Sequence, residues 1–322
     1  MFLRLLRLSG GPFLLALIAA WSAILVGAVS VVAGYLHRRF FVKPAVAVKF
    51  GWFRRALVIA GLLELLCLAY AHFVEPYWLA TRCLTIASAK LPPSCRPIRI
   101  VHISDLHSDP QPRLEEKLPV AVAKLNPDVI CFTGDAANSV EGLPHFRRCM
   151  TRLSAIAPTY AVRGNWDTRT TSAALFGDTG VTELDGQGVT LTIAGGKLWI
   201  SGLPAYAQDR IPSALKAKPT DAFCVFLHHY PDAILEFTKR DVDLVLSGHT
   251  HGGQVALPLY GAVITLSRFG KDFEGGLFRL GDTWLHVSRG VGMEGRFAPR
   301  LRFLVRPEIT LIEVCPQEPN NR

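Results

Sequence analysis

Five short runs of carboxylate, imidazole and amide side chains lie in order between residues 105 and 251. They are Asp105-Leu106-His107, Gly134-Asp135 with Asn138, Gly164-Asn165-Trp166-Asp167, His228-His229, and Gly248-His249-Thr250-His251. All supply oxygen or nitrogen donors and none contains cysteine. Such a donor set suits a hydrolytic Mn²⁺, Fe or Zn²⁺ centre better than a thiolate-rich structural zinc. Any one run is an ordinary surface feature; an ordered series, each following an apolar strand-like run, describes a site for two ions.

The elements that must position these donors alternate. Ile98 to Ser104, Val129 to Thr133, Thr159 to Val162, Phe223 to Leu227 and Val242 to Leu246 have the composition of buried strands, and Ile309 to Val314 closes the series. Leu114 to Leu125, Phe146 to Ile156 and Asp232 to Lys239 have helical spacing. Hairpins are expected at Gly195-Gly196 and Gly281-Asp282. This is an α/β pattern, and donors at the carboxyl ends of its strands converge on one crevice. Pro76, Pro92, Pro93 and Pro97 mark residues 75–97 as a linker, which leaves 98–315 as the globular domain and 316–322 as a tail.

Residues 1–74 read as a membrane anchor of two hydrophobic helices. Phe13 to Leu36 has no charged side chain, and at about 1.5 Å per residue it crosses a hydrocarbon core of about 30 Å. Ala56 to Val74 contains one acid, Glu64, which must be protonated, paired or turned toward the first helix. Between them Arg38, Arg39, Lys43, Lys49, Arg54 and Arg55 favour a cytoplasmic loop, while Arg4 and Arg7 pull the other way, so the side of the domain stays open. The net charge of +9 would attract anionic lipid or phosphate. No basic run with interleaved aromatics is present, which argues against nucleic acid. Of the seven cysteines, Cys67 falls in a membrane segment, Cys131 and Cys224 in apolar strand-like runs and Cys149 in an expected helix; Cys83 and Cys95 are either a pair or two free thiols.

The motif series resembles that of the calcineurin-like metallophosphoesterases. Glu75-Pro76-Tyr77-Trp78, Gly252-Gly253-Gln254, Ser288-Arg289-Gly290 and Arg306-Pro307-Glu308 are similar to a bacterial membrane-anchored group within it. The resemblance implies a sandwich of two mixed sheets flanked by helices. It implies Asp105, His107 and His251 on one ion, Asn165, His228 and His249 on the other, and Asp135 bridging both. Two divalent ions, Mn²⁺ first and Fe or Zn²⁺ next, would share a hydroxide that attacks phosphorus in line. Asn138 and Asp167 are expected to orient ligands.

The family's third motif often has a histidine where this chain has Trp166, and that histidine is thought to protonate the leaving group. An indole is no acid near neutral pH, so an alkoxide leaving group would lose about 10²–10⁴ in rate whereas a phosphate would lose little. Trp166 then points to phosphoanhydride cleavage, or else it packs while His229 or water gives the proton. Similar bacterial enzymes split the pyrophosphate of UDP-2,3-diacylglucosamine in lipid A synthesis at the inner membrane. A cytoplasmic domain held at a lipid-linked substrate follows from that reading. A general membrane-anchored phosphodiesterase or phosphatase is the alternative, and a non-catalytic scaffold is disfavoured by the complete ligand set. Arg289 is either a phosphate contact or structural. His102 reads as a buried residue. Leu257 to Phe269 forms a lip facing the bilayer or a packed hairpin; Met293, Phe297 and Leu301 line an acyl groove or the core. The oligomeric state is not encoded.

Overall fold

The computed structural model describes residues 11–41, 51–167, 174–295 and 300–317. Short runs buried on both faces make interior parallel strands. In order across the first sheet these are β1 (Ala80–Ser88), β14 (Glu308–Pro316), β2 (Ile98–Ile103), β3 (Val129–Phe132), β4 (Thr159–Ala161) and β5 (Thr182–Glu183). From β2 to β5 the array is parallel; β14 runs antiparallel to β2 and parallel to β1. The second sheet has the order β12 (Gly276–Leu280), β13 (Thr283–Val287), β9 (Leu244–Ser247), β8 (Phe223–His228), β7 (Gly196–Leu203) and β6 (Gly188–Ile193). It is parallel in the middle and antiparallel at both edges.

The sheets pack face to face. On β2, Ile98 and Ile100 point between the sheets with Val129, Val225, Leu227 and Leu244, while Val101 and Ile103 point outward, as the two-residue period of a strand requires. The outward face is covered by α3 (Lys117–Ala123) and α4 (Leu143–Ser154). The latter buries Phe146, Cys149, Met150 and Leu153, spaced i, i+3, i+4, i+7, and places Pro144 in its first turn. Two short helices, α5 (Ile211–Ala214) and α6 (Ile234–Phe237), cover the outer face of the second sheet through Ile211, Ile234 and Phe237. This is the expected sandwich of mixed sheets flanked by helices.

Residues 75–97 are not a linker. Glu75–Tyr77 form a 3₁₀ turn and β1 pairs in full register with β14, from Ala80 opposite Glu308 to Ser88 opposite Pro316. The prolines bracket this strand rather than interrupt it, and Leu91 and Cys95 behind it enter the inter-sheet core. The globular unit therefore begins at Glu75, not at residue 98. Expected helices at Leu114 to Leu125 and Asp232 to Lys239 are shorter, the second reduced to a 3₁₀ turn and α6. Cys83 is exposed, Cys95 is buried, and both thiols are free.

The other unit, residues 1–74, contains α1 (Gly11–Phe41) and α2 (Trp52–Phe73), each long and apolar enough to cross a membrane. They touch through small residues: a Cβ on Gly61 would come within 2.5 Å of the Ala28 Cβ. Glu64, one turn from Gly61, is buried on the same face, while Leu62, Leu63 and Leu66 are exposed. Arg4, Arg7, Lys43, Lys49, Phe297 and the tail beyond residue 317 lie outside the described residues.

Candidate dimetal centre

The loops after β2, β3, β8 and β9 bring six side chains together in two groups. Asp105, His107 and His251 form one; Asp135, His229 and His249 form the other, and within each group the donor atoms lie within 4.8 Å of one another. Five of these six residues adopt left-handed backbone, with φ of 52° at Asp105, 41° at His107, 60° at Asp135, 71° at His249 and 51° at His251. Strain of this kind persists where the surroundings over-determine it, and it concentrates at functional sites. Two glycines permit the approach: a Cβ on Gly164 would meet Asp135 Oδ1 at 2.1 Å, and one on Gly248 would meet Asp105 Oδ2 at 2.2 Å.

The donors fit an ion. Bonds of about 2.1 Å to one metal set neighbouring ligands about 3.0–3.4 Å apart. Here His107 Nε2 is 3.1 Å from His251 Nε2, and His251 Nε2 is 3.3 Å from Asp105 Oδ1. Asp135 Oδ2 lies 3.4 Å from His107 Nε2 and 3.3 Å from His229 Nε2, which places one oxygen between the groups. His229 Nε2 is buried and faces the Asp135 carboxylate. Asn165 sits in the loop that lays the Trp166 amide on Asp135 Oδ1.

Charge is distributed unevenly. Burial opposes a proton on His229, yet the Asp135 carboxylate raises its pKa to about 9. His107 is raised against burial by the same carboxylate. Burial lowers His249 to about 3, helped by the charge of His229, and lowers His251 as well. Burial pushes both carboxyls up, but His251 and His229 hold Asp105 below the carboxylate range, and His229 and His107 hold Asp135 well below it.

His228 is not in the centre. It is the last residue of β8, and its side chain turns away: Nδ1 donates to the Leu203 carbonyl at 3.3 Å and the ring lies near Phe237. Burial lowers its pKa to about 4. His229, one residue later, points to the opposite side and takes the expected place of His228. Sequence periodicity ended this strand at Leu227 and so left His228 looking like a loop donor; pairing with Leu203 carries the strand one residue further, and the donor is the residue after it.

The calcineurin-like phosphoesterase family profile matches residues 98–253, the stretch that carries all five motifs. Over 255 residues the chain is 33% identical to the metallophosphoesterase YkuE of Bacillus subtilis, covering 75% of this chain and 87% of that one. The chain belongs to the calcineurin-like phosphoesterase family. It is also similar to the phosphodiesterase YaeI of Escherichia coli, at 28% identity over 76% of this chain and 92% of that one. A transmembrane protein with metallophosphoesterase domain from Bos taurus is 27% identical over 87% of this chain and 64% of its own length. Membership makes the phosphoesterase a metal-dependent phosphoester hydrolase of a dimetal-dependent family.

Behind the donors the phosphoesterase is braced by groups of several kinds. Asn138 Oδ1 accepts from His107 Nδ1 at 2.9 Å, which leaves Nε2 free to bind an ion, and its amide donates to His107 O, Asp109 Oδ1 and Met293 O. Asp167 accepts from the amides of Asp135, Ala136 and Gly164 at 2.8–2.9 Å; burial and then the Asp135 charge raise its pKa to about 6. Trp166 is buried, with its ring edge-on to His107 at 5.4 Å. Arg289 does not join the donors. Its guanidinium lies 3.9 Å from Glu308 and its carbonyl accepts from Arg302.

Two features escaped the sequence. Arg302 is fully buried, donates to the carbonyls of Arg289, Gly290, Gly292 and Val305, and reaches within 3.5 Å of His251 Nδ1. Burial lowers it to about 10, so it remains a cation at neutral pH. His102, expected only to be buried, meets His286 of the second sheet at 2.7 Å and Thr133 Oγ1 at 2.9 Å. Neither carried a motif, because a brace from a distant strand leaves no local spacing to read. Met293 is buried and Leu301 half-buried.

Proposed function

We propose that this chain is a membrane-anchored dimetal phosphohydrolase that cleaves the phosphoanhydride of a lipid-linked nucleotide such as UDP-2,3-diacylglucosamine. Its place would be the cytoplasmic face of a bacterial inner membrane, with Mn²⁺ as the working ion. The observation that carries the reading is Trp166. It is buried against His107 where an acid would otherwise stand, so the leaving group must depart without a proton from that position.

When bound, the ions supply a nucleophile from water and neutralise phosphoryl oxygens. Asp105, His107 and His251 would hold one; Asp135, His229 and His249 would hold the other beside Asn165, with Asp135 Oδ2 turned to both. Asn138 fixes the tautomer of His107, and the Thr133 carbonyl, accepting from His229 Nδ1 at 2.7 Å, fixes that of His229. Trp166 packs against the His107 ring and moves no proton. A departing nucleoside monophosphate needs no general acid at neutral pH, whereas an alkoxide does.

The second reading is a phosphodiesterase acting on ordinary diesters, favoured by similarity to a relative named as a phosphodiesterase. Mn²⁺-dependent hydrolysis of UDP-2,3-diacylglucosamine by the full chain, beside an aryl phosphodiester and with Asp135→Ala as blank, separates the two. UMP release at the higher specificity constant is expected. Diester hydrolysis without UMP would overturn the first reading in favour of the second.

A further inference from the structure

Among the described residues of the catalytic unit, nine large apolar or aromatic side chains are exposed, and five of them belong to one strip. They are Tyr77 and Trp78, Leu259 and Tyr260, and Leu304. Hydrogen bonds tie their three segments edge to edge. The Leu304 amide donates to Glu75 Oε2 at 2.8 Å, and the Ala256 amide donates to the Phe303 carbonyl at 2.9 Å. The Phe303 amide donates to the Gln254 carbonyl at 3.0 Å. Arg306 lies 4.0 Å over the Trp78 ring and donates to the Trp78 and Leu79 carbonyls.

The two leucines of the strip are unusual in a second way. Leu259 and Leu304 have φ of 64° and 58°, and Leu259 is wholly exposed. A bulky residue in left-handed backbone is strained, and a leucine in water gains nothing from burial. Glycine or asparagine would serve a simple turn better on both counts, so these side chains have a use outside the domain. Leu259 tips a hairpin, β10 (Ala256–Leu257) and β11 (Gly261–Ala262), that leaves directly from the loop carrying His249 and His251. At its tip Lys271 sits 3.5 Å over the Tyr260 ring. Tyrosine, tryptophan, leucine and a few cations make the composition of an interfacial anchor. Chain continuity points the same way, because Glu75 follows the Val74 cap of α2.

We propose that this strip docks on the phospholipid bilayer, with Tyr77, Trp78, Leu259, Tyr260 and Leu304 in the interfacial layer and the donor loop at Gly248–Gln254 opening on the membrane plane. The proposal rests on the membrane-anchored reading above and names a bilayer-resident substrate class for the same centre. It is tested with the full chain in vesicles of phosphatidylethanolamine and phosphatidylglycerol that carry a photoactivatable phospholipid, with adducts mapped by mass spectrometry. Adducts are expected on peptides containing Tyr77-Trp78, Leu257 to Tyr260 and Leu304, besides those of α1 and α2. Joint Leu259→Asp and Leu304→Asp should cut the strip's adducts by about tenfold or more, the factor that burial of a leucine supplies. Adducts confined to α1 and α2, or absent altogether, overturn the proposal. The wild-type map needs no variant to fold and does not depend on which phosphate ester is cut, so failure of the substrate reading would leave the strip's adducts in place.

Discussion

Asp105, His107 and His251 are held from behind by two side chains, Asn138 and Arg302, whereas behind Asp135, His229 and His249 stand one side chain, Asp167, and the Thr133 carbonyl. In the first group Asn138 fixes His107, and Arg302 grips the Arg289–Gly292 turn, whose Gly292 amide donates to the Asp105 carbonyl at 2.6 Å. In the second, the Thr133 carbonyl fixes His229, and Asp167 gathers three amides of the two loops around Asp135. The groups are alike at the donors and different behind them. The difference means that substitution can tune the first ion through several positions but reaches the second chiefly through Asp167.

Asp135 Oδ2 lies 3.4 Å from His107 Nε2 in one group and 3.3 Å from His229 Nε2 in the other, so its loss should erase the comparison. Asp135→Ala is expected to leave neither ion tightly bound and to lower turnover by about 10²–10⁴-fold, several kcal/mol of lost charge stabilisation. Metal content per chain together with diester hydrolysis checks this; retention of two ions would show that its oxygen does not bridge. A step down in effect, His229→Ala should empty one site and lower turnover by about 10²-fold or more. His228→Ala should keep both ions and full turnover while costing about 2–4 kcal/mol of stability through the cavity and the lost bond to Leu203. The reverse outcome would restore His228 as the ligand.

That neighbouring pair also marks the limit of legibility. Strand periodicity located β2, β3, β4, β8 and β9 to within a residue or two, and with them the four loops that converge. It placed Asp105, His107, Asp135, His249 and His251, because a donor in a loop needs only the loop to be found. Which of two adjacent histidines faces the ions depends on where the strand ends, and strand ends are set by pairing: Leu203 pairs with His228, which extends β8 by one residue. β1 was hidden for a similar reason. Its pairing partner β14 lies more than two hundred residues away, so the nearby prolines dominated the local reading. Arg302 and the His102–His286 contact depend on packing between distant segments and have no local pattern.

Proton linkage sharpens the comparison at the donors. In the ion-free protein each group contains one imidazole raised by Asp135, His107 or His229, and one lowered by burial, His251 or His249. Ions must displace the protons on the raised pair. Binding at pH 7 is therefore expected to release about one proton from His229, with a further contribution from His107, readable by calorimetry in buffers of different ionisation enthalpy. Apparent affinity for the second ion should rise by about 10²-fold or more between pH 6 and 9, because His229 titrates near 9. The stability of the ion-free protein runs the other way for this group. With its folded pKa above the unfolded 6.5, His229 stabilises fully below 6.5, and that contribution is lost as pH rises through about 9. His228 and His286, lowered by burial to about 4 and about 3, have the opposite sign and destabilise the fold as pH falls below 6.5. Proton release near zero would mean that the raised imidazoles are not the displaced groups.

The smallest expected effects separate the two kinds of brace. Asn138→Ala frees the His107 ring, removes the amide from His107 O and leaves the Asp135 loop intact, so the first ion should weaken by about 10–100-fold while the second stays within a few-fold. Asp167→Asn keeps the volume but replaces one acceptor oxygen with a donor that faces amides, and the loops carrying Asp135 and Gly164 lose part of their common anchor. There the second ion should weaken by about the same factor and the first should change less. Titration of each variant with Mn²⁺, resolved into two binding steps, reads both at once. Equal loss of both ions in both variants would mean that the groups share one scaffold and that Asp135 alone, through its central oxygen, transmits every disturbance to the pair.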